Sequence, residues 1–328
     1  MARDPADLDK ADADIGERPR TGSGDAARAV TATELEKAGR VEVVAVFGPT
    51  ASGKSALAEA LAEALGTEVV SADAMQVYRG LPILTNQSEQ PTRLVAVRAL
   101  DEEMSVGAFA ALAHAEIDEL VRTRGSAVVA GGTGLYLRAA LADLDVPPPA
   151  GPEIRARIRE EVAGDDAAAH ARLAELDPEA ADTVHPRDHQ RLVRALELAE
   201  AGHSLAGGDR LWSAATRRPT LILGLDLPPE EIDRRVRERT NAMFARGVVN
   251  EVRLAVVGPV SRTAEKALGL AEIASLPPDD ARDRIVLRTR RYAAYQRKWM
   301  RRIPGIVVLD GTRPLPDLVS DVLLRVRR

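Results

Sequence analysis

The chain has no cysteine among its 328 residues, which excludes disulfides and thiolate metal centres. Aromatic residues make up only 3% of it, too few for the stacking platforms on which some proteins hold runs of unpaired bases. The five histidines (His114, His170, His185, His189 and His203) show no HExxH or comparable ligand spacing. No apolar stretch approaches the roughly 20 residues of a membrane span, and the N-terminus lacks the apolar segment of a secretion signal. A soluble, cytoplasmic protein is expected, with a monomer as the default. The net charge of −5 is small for this length, so a nucleic-acid partner has to be met by a local basic surface.

What is present is enough for a substantial core, since 45% of residues are hydrophobic. Residues 1–40 mix Ala, Asp, Gly and Arg without sustained apolar periodicity, which predicts a mobile tail. From Val41 onward, strand-like runs at 41–47, Val69–Ser71, Ala127–Ala130, Thr220–Leu225 and Ile306–Leu309 alternate with helical patterns. That rhythm predicts a parallel sheet flanked by helices. After Val146–Pro149 the patterns turn helical throughout. The expected fold class is therefore α/β: a P-loop-type parallel sheet over residues 41–148 and 206–328, with an all-helical insertion domain over residues 149–205.

The first strand-like run feeds Gly48, Pro49, Thr50, Ala51, Ser52, Gly53, Lys54 and Ser55, which fit the phosphate-binding pattern GxxxxGK[ST]. A helix is predicted over Ser55–Leu65, with Leu57, Leu61 and Leu65 at helical spacing and Gly66 as its stop. Backbone N–H groups of such a loop turn inward around phosphate oxygens, as in nucleotide-binding proteins. Lys54 reaches the outer charges, and the Ser55 hydroxyl is placed to hold Mg²⁺.

The second run ends at Asp73, a carboxylate on the strand edge where open α/β sheets bind ligands. It suits catalysis, but also a helix cap or an ordinary Mg²⁺ ligand. The third run leads into Gly131–Gly134, a turn that frees backbone N–H groups and offers the Thr133 hydroxyl on the same edge. By itself that turn is also an ordinary strand-to-helix connection. Basic charge collects on two helical stretches. Pro186 suits a first helical turn, with Arg187, Arg191 and Arg194 on one face and Leu192 and Leu196 on another. Arg284, Arg288 and Arg291 repeat the spacing near the C-terminus, with Arg290, Arg297 and Arg301 close by and little acid near them in sequence. Such rows are either solvated faces or the footprint of a polyanion.

Taken together, GPTASGKS (48–55), SADAMQVYRG (71–80), GGTGLYLRA (131–139), PEIRARI (152–158), HPRDHQRLVRALE (185–197) and TRRYAAYQRKWMRR (289–302) make the sequence resemble the bacterial tRNA dimethylallyltransferases. These enzymes prenylate the adenosine 3′ of the anticodon. The resemblance covers about residues 41–310 and implies a P-loop α/β core with a helical insertion. It implies that Gly48–Ser55 hold the donor's diphosphate with Mg²⁺, joined by Lys266 and Arg290. Asp73 is implied as general base toward the adenine N6, with Thr133 beside the base and Lys54 on the leaving group. Ala74, Met75 and Gln76 are implied to line the entry for a flipped base, and Arg155, Gln190, Arg191, Leu192, Val193 and Arg194 to meet the tRNA anticodon stem-loop. The implied partners are thus tRNA and dimethylallyl diphosphate. The chain departs from the family's pattern at Ile83–Leu94, at Ala74, at Lys266, at Leu270 and at Ala294–Tyr295. The competing readings are a small-molecule kinase, prenyl transfer to a free adenine nucleotide, and an inactive RNA-binding paralogue.

Overall fold

The computed structural model describes residues 40–144, 147, 150–162, 164–205 and 213–326. The tail expected over residues 1–40 lies, but for Arg40, outside them. The described residues divide into two compact units, one within Asp145–Arg210 and the other the remainder.

In the larger unit, β1 (Val43–Phe47), β2 (Val69–Ser71), β3 (Thr92–Arg93), β4 (Ala127–Gly131), β5 (Thr220–Asp226) and β6 (Val307–Asp310) form one sheet in the order β3-β2-β4-β1-β5-β6. All its pairings are parallel, with Val43 opposite Ala127 and Thr220, and Phe47 opposite Gly131 and Gly224. Every residue of β1 is buried because helices cover both faces, as a near-continuous apolar run requires. Val43, Ala45 and Phe47 pack to one side with α2 (Val106–Arg124) and α3 (Gly134–Leu141). Val44 and Val46 pack to the other with α1 (Lys54–Leu65). The sequence runs for β1, β2, β4, β5 and β6 agree with the observed strands to within one or two residues. The short edge strand β3, in the 83–94 region, has no apolar alternation and was not expected.

Helix α1 begins at Lys54 and ends where Gly66 adopts the left-handed conformation, its N–H reaching back to Ala62 and Glu63 carbonyls. Leu57 and Leu61 are wholly buried. The connection from β1 into α1 lies where the chain passes from one side of β1 to the other, the crevice at which open α/β sheets bind ligands.

In the smaller unit, α4 (Pro152–Glu161), α5 (Asp166–Leu176), α6 (Pro178–Thr183) and α7 (His189–Glu200) pack around Ile158, Leu173, Leu192 and Leu196, each wholly buried. Aspartates cap three of them: Asp165, Asp177 and Asp188 accept from the N–H groups of Ala168, Ala180 and Arg191. The Asp188 cap starts α7 three residues after Pro186. Arg187 therefore lies before the helix, and the expected three-arginine face keeps only Arg191 and Arg194.

Beyond β5 the larger unit continues with α8 (Pro229–Ala245), α9 (Val248–Ala255), a short 3₁₀ turn at Ala264–Lys266, α10 (Leu270–Ser275), the long α11 (Pro278–Met300) and, after β6, α12 (Leu315–Val326). Helix α11 has Asp279 and Asp280 in its first turn and Arg297 and Lys298 in its last, matching the helix dipole at both ends. Among the described residues no helix is long and apolar enough to cross a membrane.

Candidate active site

At the carboxyl ends of β1, β2 and β4 lies a cavity of about 120 Å³, lined among others by Thr50, Lys54, Ser55, Glu59, Asp73, Gln76 and Arg239. The phosphate loop donates selectively. Pro49 has no N–H, the Ser52 N–H closes onto the Pro49 carbonyl, and the Thr50 N–H is taken by Gln296 Oε1 at 2.7 Å. The amides that open α1, those of Lys54 and Ser55, have no partner within the helix and so remain available to an anion, with the helix dipole behind them. Buried Ser52 Oγ likewise has no hydrogen-bond partner among the described residues.

Asp73 follows β2 directly. Its Oδ1 accepts from the Met75 N–H at 2.9 Å and the Gln76 N–H at 3.4 Å, so Asp73 caps a turn; the helix considered from the sequence does not form there. No hydrogen bond falls on Oδ2 among the described residues. The close approach that seats Asp73 depends on Gly131, where any Cβ would collide with the Ala72 carbonyl. Removing that side chain lets the ends of β2 and β4 draw together, bringing the loop with Thr133 toward Asp73. Thr133 does not line the cavity itself. It opens α3, and its hydroxyl meets the Tyr292 hydroxyl from α11 at 3.2 Å.

Four charged groups line the cavity: Lys54, Arg239, Asp73 and Glu59. Burial lowers Lys54 from 10.5 to about 8, with Asp73 opposing the shift and Arg239 adding to it. Arg239, on α8, is likewise lowered by burial and raised by Asp73. Neither cation has a carboxylate within ion-pairing distance among the described residues. Burial, and then the Asp73 charge, push the Tyr292 hydroxyl up to about 12, so it stays protonated. The cavity therefore holds two half-buried cations, Lys54 and Arg239, and two carboxylates, Asp73 and Glu59, beside loop amides that favour negative charge. An anion seated on the loop meets both cations and those amides.

Arg239 was not evident from the sequence motifs, although a signal was present. On α8, Arg234 pairs with Glu231 and Glu238, and Arg235 with Glu231, whereas Arg239 has no carboxylate three or four residues away.

The other expected site residues lie as follows. Lys266 is exposed, with Arg262 and Glu103 as its charged neighbours, and Arg290 pairs with Asp233 at 2.5 Å; neither lines the cavity. The arginines of α11 do meet acid, brought from other elements. Arg288 pairs with buried Glu272, and Arg297 with Asp226 at 2.7 Å. Ala74 and Met75 pack against hydrophobic clusters and do not line the cavity. Gln76 does line it, but its amide also organises the departing 83–94 segment, accepting from Ser71 Oγ and donating to the carbonyls of Thr85 and Asn86. In the helical unit, Gln190 and Arg191 are exposed, while Leu192 is 0% exposed and its side chain is closed to any surface partner. Val193 packs partly against the same core. Arg194 donates to the Pro147 carbonyl and pairs with Glu197, and Arg155 is half-buried.

A parallel sheet with a glycine-rich GxxxxGK[ST] loop at its crossover defines a P-loop α/β protein. The family model described as IPP transferase matches residues 76–303, and that described as isopentenyl transferase matches residues 41–95. The chain belongs to this IPP transferase family of prenyltransferases. It is similar to the tRNA dimethylallyltransferase of Kineococcus radiotolerans, at 41% identity over 86% of this chain and 96% of that relative. With the tRNA dimethylallyltransferase of Acidothermus cellulolyticus it shares 40% identity over 82% and 89%. Among solved structures, the full-length tRNA isopentenylpyrophosphate transferase of Bacillus halodurans matches at 26% identity and TM-score 0.63, over 87% of this chain and 97% of that one. A eukaryotic dimethylallyltransferase solved acting on tRNA matches at 25% identity and TM-score 0.69, over 87% and 77%.

Proposed function

We propose that the chain transfers a dimethylallyl group from dimethylallyl diphosphate to N6 of the adenosine 3′ of the anticodon in tRNA. The observation that carries the reading is the placement of Lys54 and Arg239, both half-buried and without an ion-pair partner among the described residues, around the cavity that Asp73 lines. As N6 bonds to the allylic carbon, the carbon–oxygen bond to diphosphate breaks and negative charge grows on the leaving group. Lys54, Arg239 and the amides of the loop stabilise that charge. The proton lost from N6 passes to Asp73, whose Oδ2 is open while Oδ1 is anchored by the backbone.

Mg²⁺ fits the same place. Ser55, Glu59 and Asp73 present hard oxygen donors to the cavity, and no group of three or more His, Cys, Asp or Glu that could hold a metal by itself exists among the described residues. The ion would be held chiefly by the donor's own phosphate oxygens and by Ser55, and would supply charge neutralisation. The exposed Gln190 and Arg191 of the helical unit offer the RNA a donor surface.

The test is to incubate the protein with labelled dimethylallyl diphosphate, Mg²⁺ and either an anticodon stem-loop or AMP. Label in the stem-loop supports the proposal. Label in AMP alone replaces it with prenyl transfer to a free nucleotide, and RNA retention without transfer points to an inactive binder.

A further inference from the structure

Helix α11 grips three consecutive residues of the loop after β4. Gln296 donates from Nε2 to the Gly132 carbonyl at 2.8 Å, and Tyr292, one turn earlier, meets the Thr133 hydroxyl at 3.2 Å. Trp299, one turn later, lies against Gly134 so closely that any Cβ there would enter its ring. Gly132 is similarly confined, since a Cβ would collide with Gln296 Nε2. The same Gln296 side chain, 3% exposed, accepts from the Thr50 N–H through its other amide atom. One buried carboxamide thus bonds at one end to the phosphate loop and at the other to the loop bearing Thr133.

Those two loops are the two sides of the reaction proposed above, on which this inference rests. The phosphate loop holds the diphosphate of the donor, and the Gly131–Gly134 turn stands beside the accepting base. Both bonds of Gln296 go to backbone atoms, and neither Gln296 nor Tyr292 lines the cavity. The amide it takes from Thr50 is one the phosphate loop then cannot offer to phosphate, which a group serving the cradle alone would not do. We propose that Gln296 is a positioning residue that sets the distance between donor and acceptor, and that Tyr292 completes it by orienting the Thr133 hydroxyl. Its neutral hydroxyl suits that role because it keeps its proton at working pH. The physical effect is on the ternary complex. Each substrate finds its own half of the site intact, and only their relative placement depends on the strut.

The experiment compares the wild-type protein with Gln296→Met and Tyr292→Phe, measuring kcat for prenyl transfer to a stem-loop and the separate equilibrium affinities for Mg²⁺–dimethylallyl diphosphate and for the stem-loop. The expected result is a kcat lowered about 100-fold in Gln296→Met and about tenfold in Tyr292→Phe, the size that a small misplacement of reactants produces. Both binary affinities stay within about twofold of wild type, the signature of an interaction felt only in the transition state. A kcat unchanged in either folded variant overturns the proposal for that residue. A loss confined to donor affinity overturns it for Gln296 by making it a cradle residue. Thermal melts report whether Gln296→Met folds; if it does not, Tyr292→Phe, which keeps the buried ring, decides. A wild-type chain that transfers nothing overturns the reaction itself and this inference with it, whereas active wild type with unaffected variants overturns only the inference.

Discussion

Lys54 and Asp73 belong to different strand ends of one sheet, yet Asp73 is the strongest influence opposing the loss of charge that burial imposes on Lys54. A lysine held down to about 8 by burial is poised to gain from any anion that enters beside it.

That relationship makes the affinity for diphosphate depend on pH. Below about 8 Lys54 is charged and affinity is level; above it affinity falls as the proton is lost. Calorimetric titration across pH 7–10 reads the bend, and Lys54→Met removes it while weakening binding throughout. Ligand-free stability moves the opposite way. Between about 8 and 10.5 the unfolded chain binds the Lys54 proton and the folded chain does not, so this group makes stability rise with pH.

Asp73→Asn keeps an oxygen for the Met75 N–H, so the turn it caps survives. The base is lost, and transfer to a stem-loop falls by about 10²–10⁴. RNA affinity, measured by filter retention, stays near wild type. Normal turnover in this variant removes Asp73 from the chemistry.

Arg239→Gln removes a half-buried cation from the cavity without disturbing an ion pair, since Arg239 has none among the described residues. We expect kcat to fall about 10²–10³-fold, the cost of losing one donor to developing charge, and inorganic diphosphate to inhibit more weakly. Stem-loop affinity separates the outcomes: a parallel loss there assigns Arg239 to RNA instead.

Neighbouring residues of α7 should part company. Exposed Arg191→Ala weakens stem-loop binding and reduces the salt slope by about one phosphate contact. Wholly buried Leu192→Ala instead destabilises the helical unit by about 2–5 kcal/mol in chemical denaturation. A salt slope unchanged in Arg191→Ala excludes that contact.

What the amino-acid sequence determined by itself is local. Gly48–Ser55, Asp73 and Gly131–Gly134 each follow a strand-like run, and a parallel sheet delivers the ends of such runs to one edge, so their assembly was legible from order alone. Gly66 marked the end of α1 because a left-handed residue there is cheapest as glycine. The helical character expected over residues 149–205 was legible from periodicity, and Pro152–Glu161, Asp166–Leu176, Pro178–Thr183 and His189–Glu200 are helices.

Only the tertiary structure decided what reaches that edge from far along the chain. Arg239, Tyr292 and Gln296 sit on helices whose sequence patterns record an amphipathic face and nothing of the partner it meets. Arg288, Arg290 and Arg297 read as an open basic row until Glu272, Asp233 and Asp226 were brought against them by the packing of α10, α8 and β5 around α11. Helical spacing shows which side chains share a face of one element. Whether such a face meets acid, core or cavity depends on contacts between distant segments, and those are set by the order of strands and the packing of helices over them.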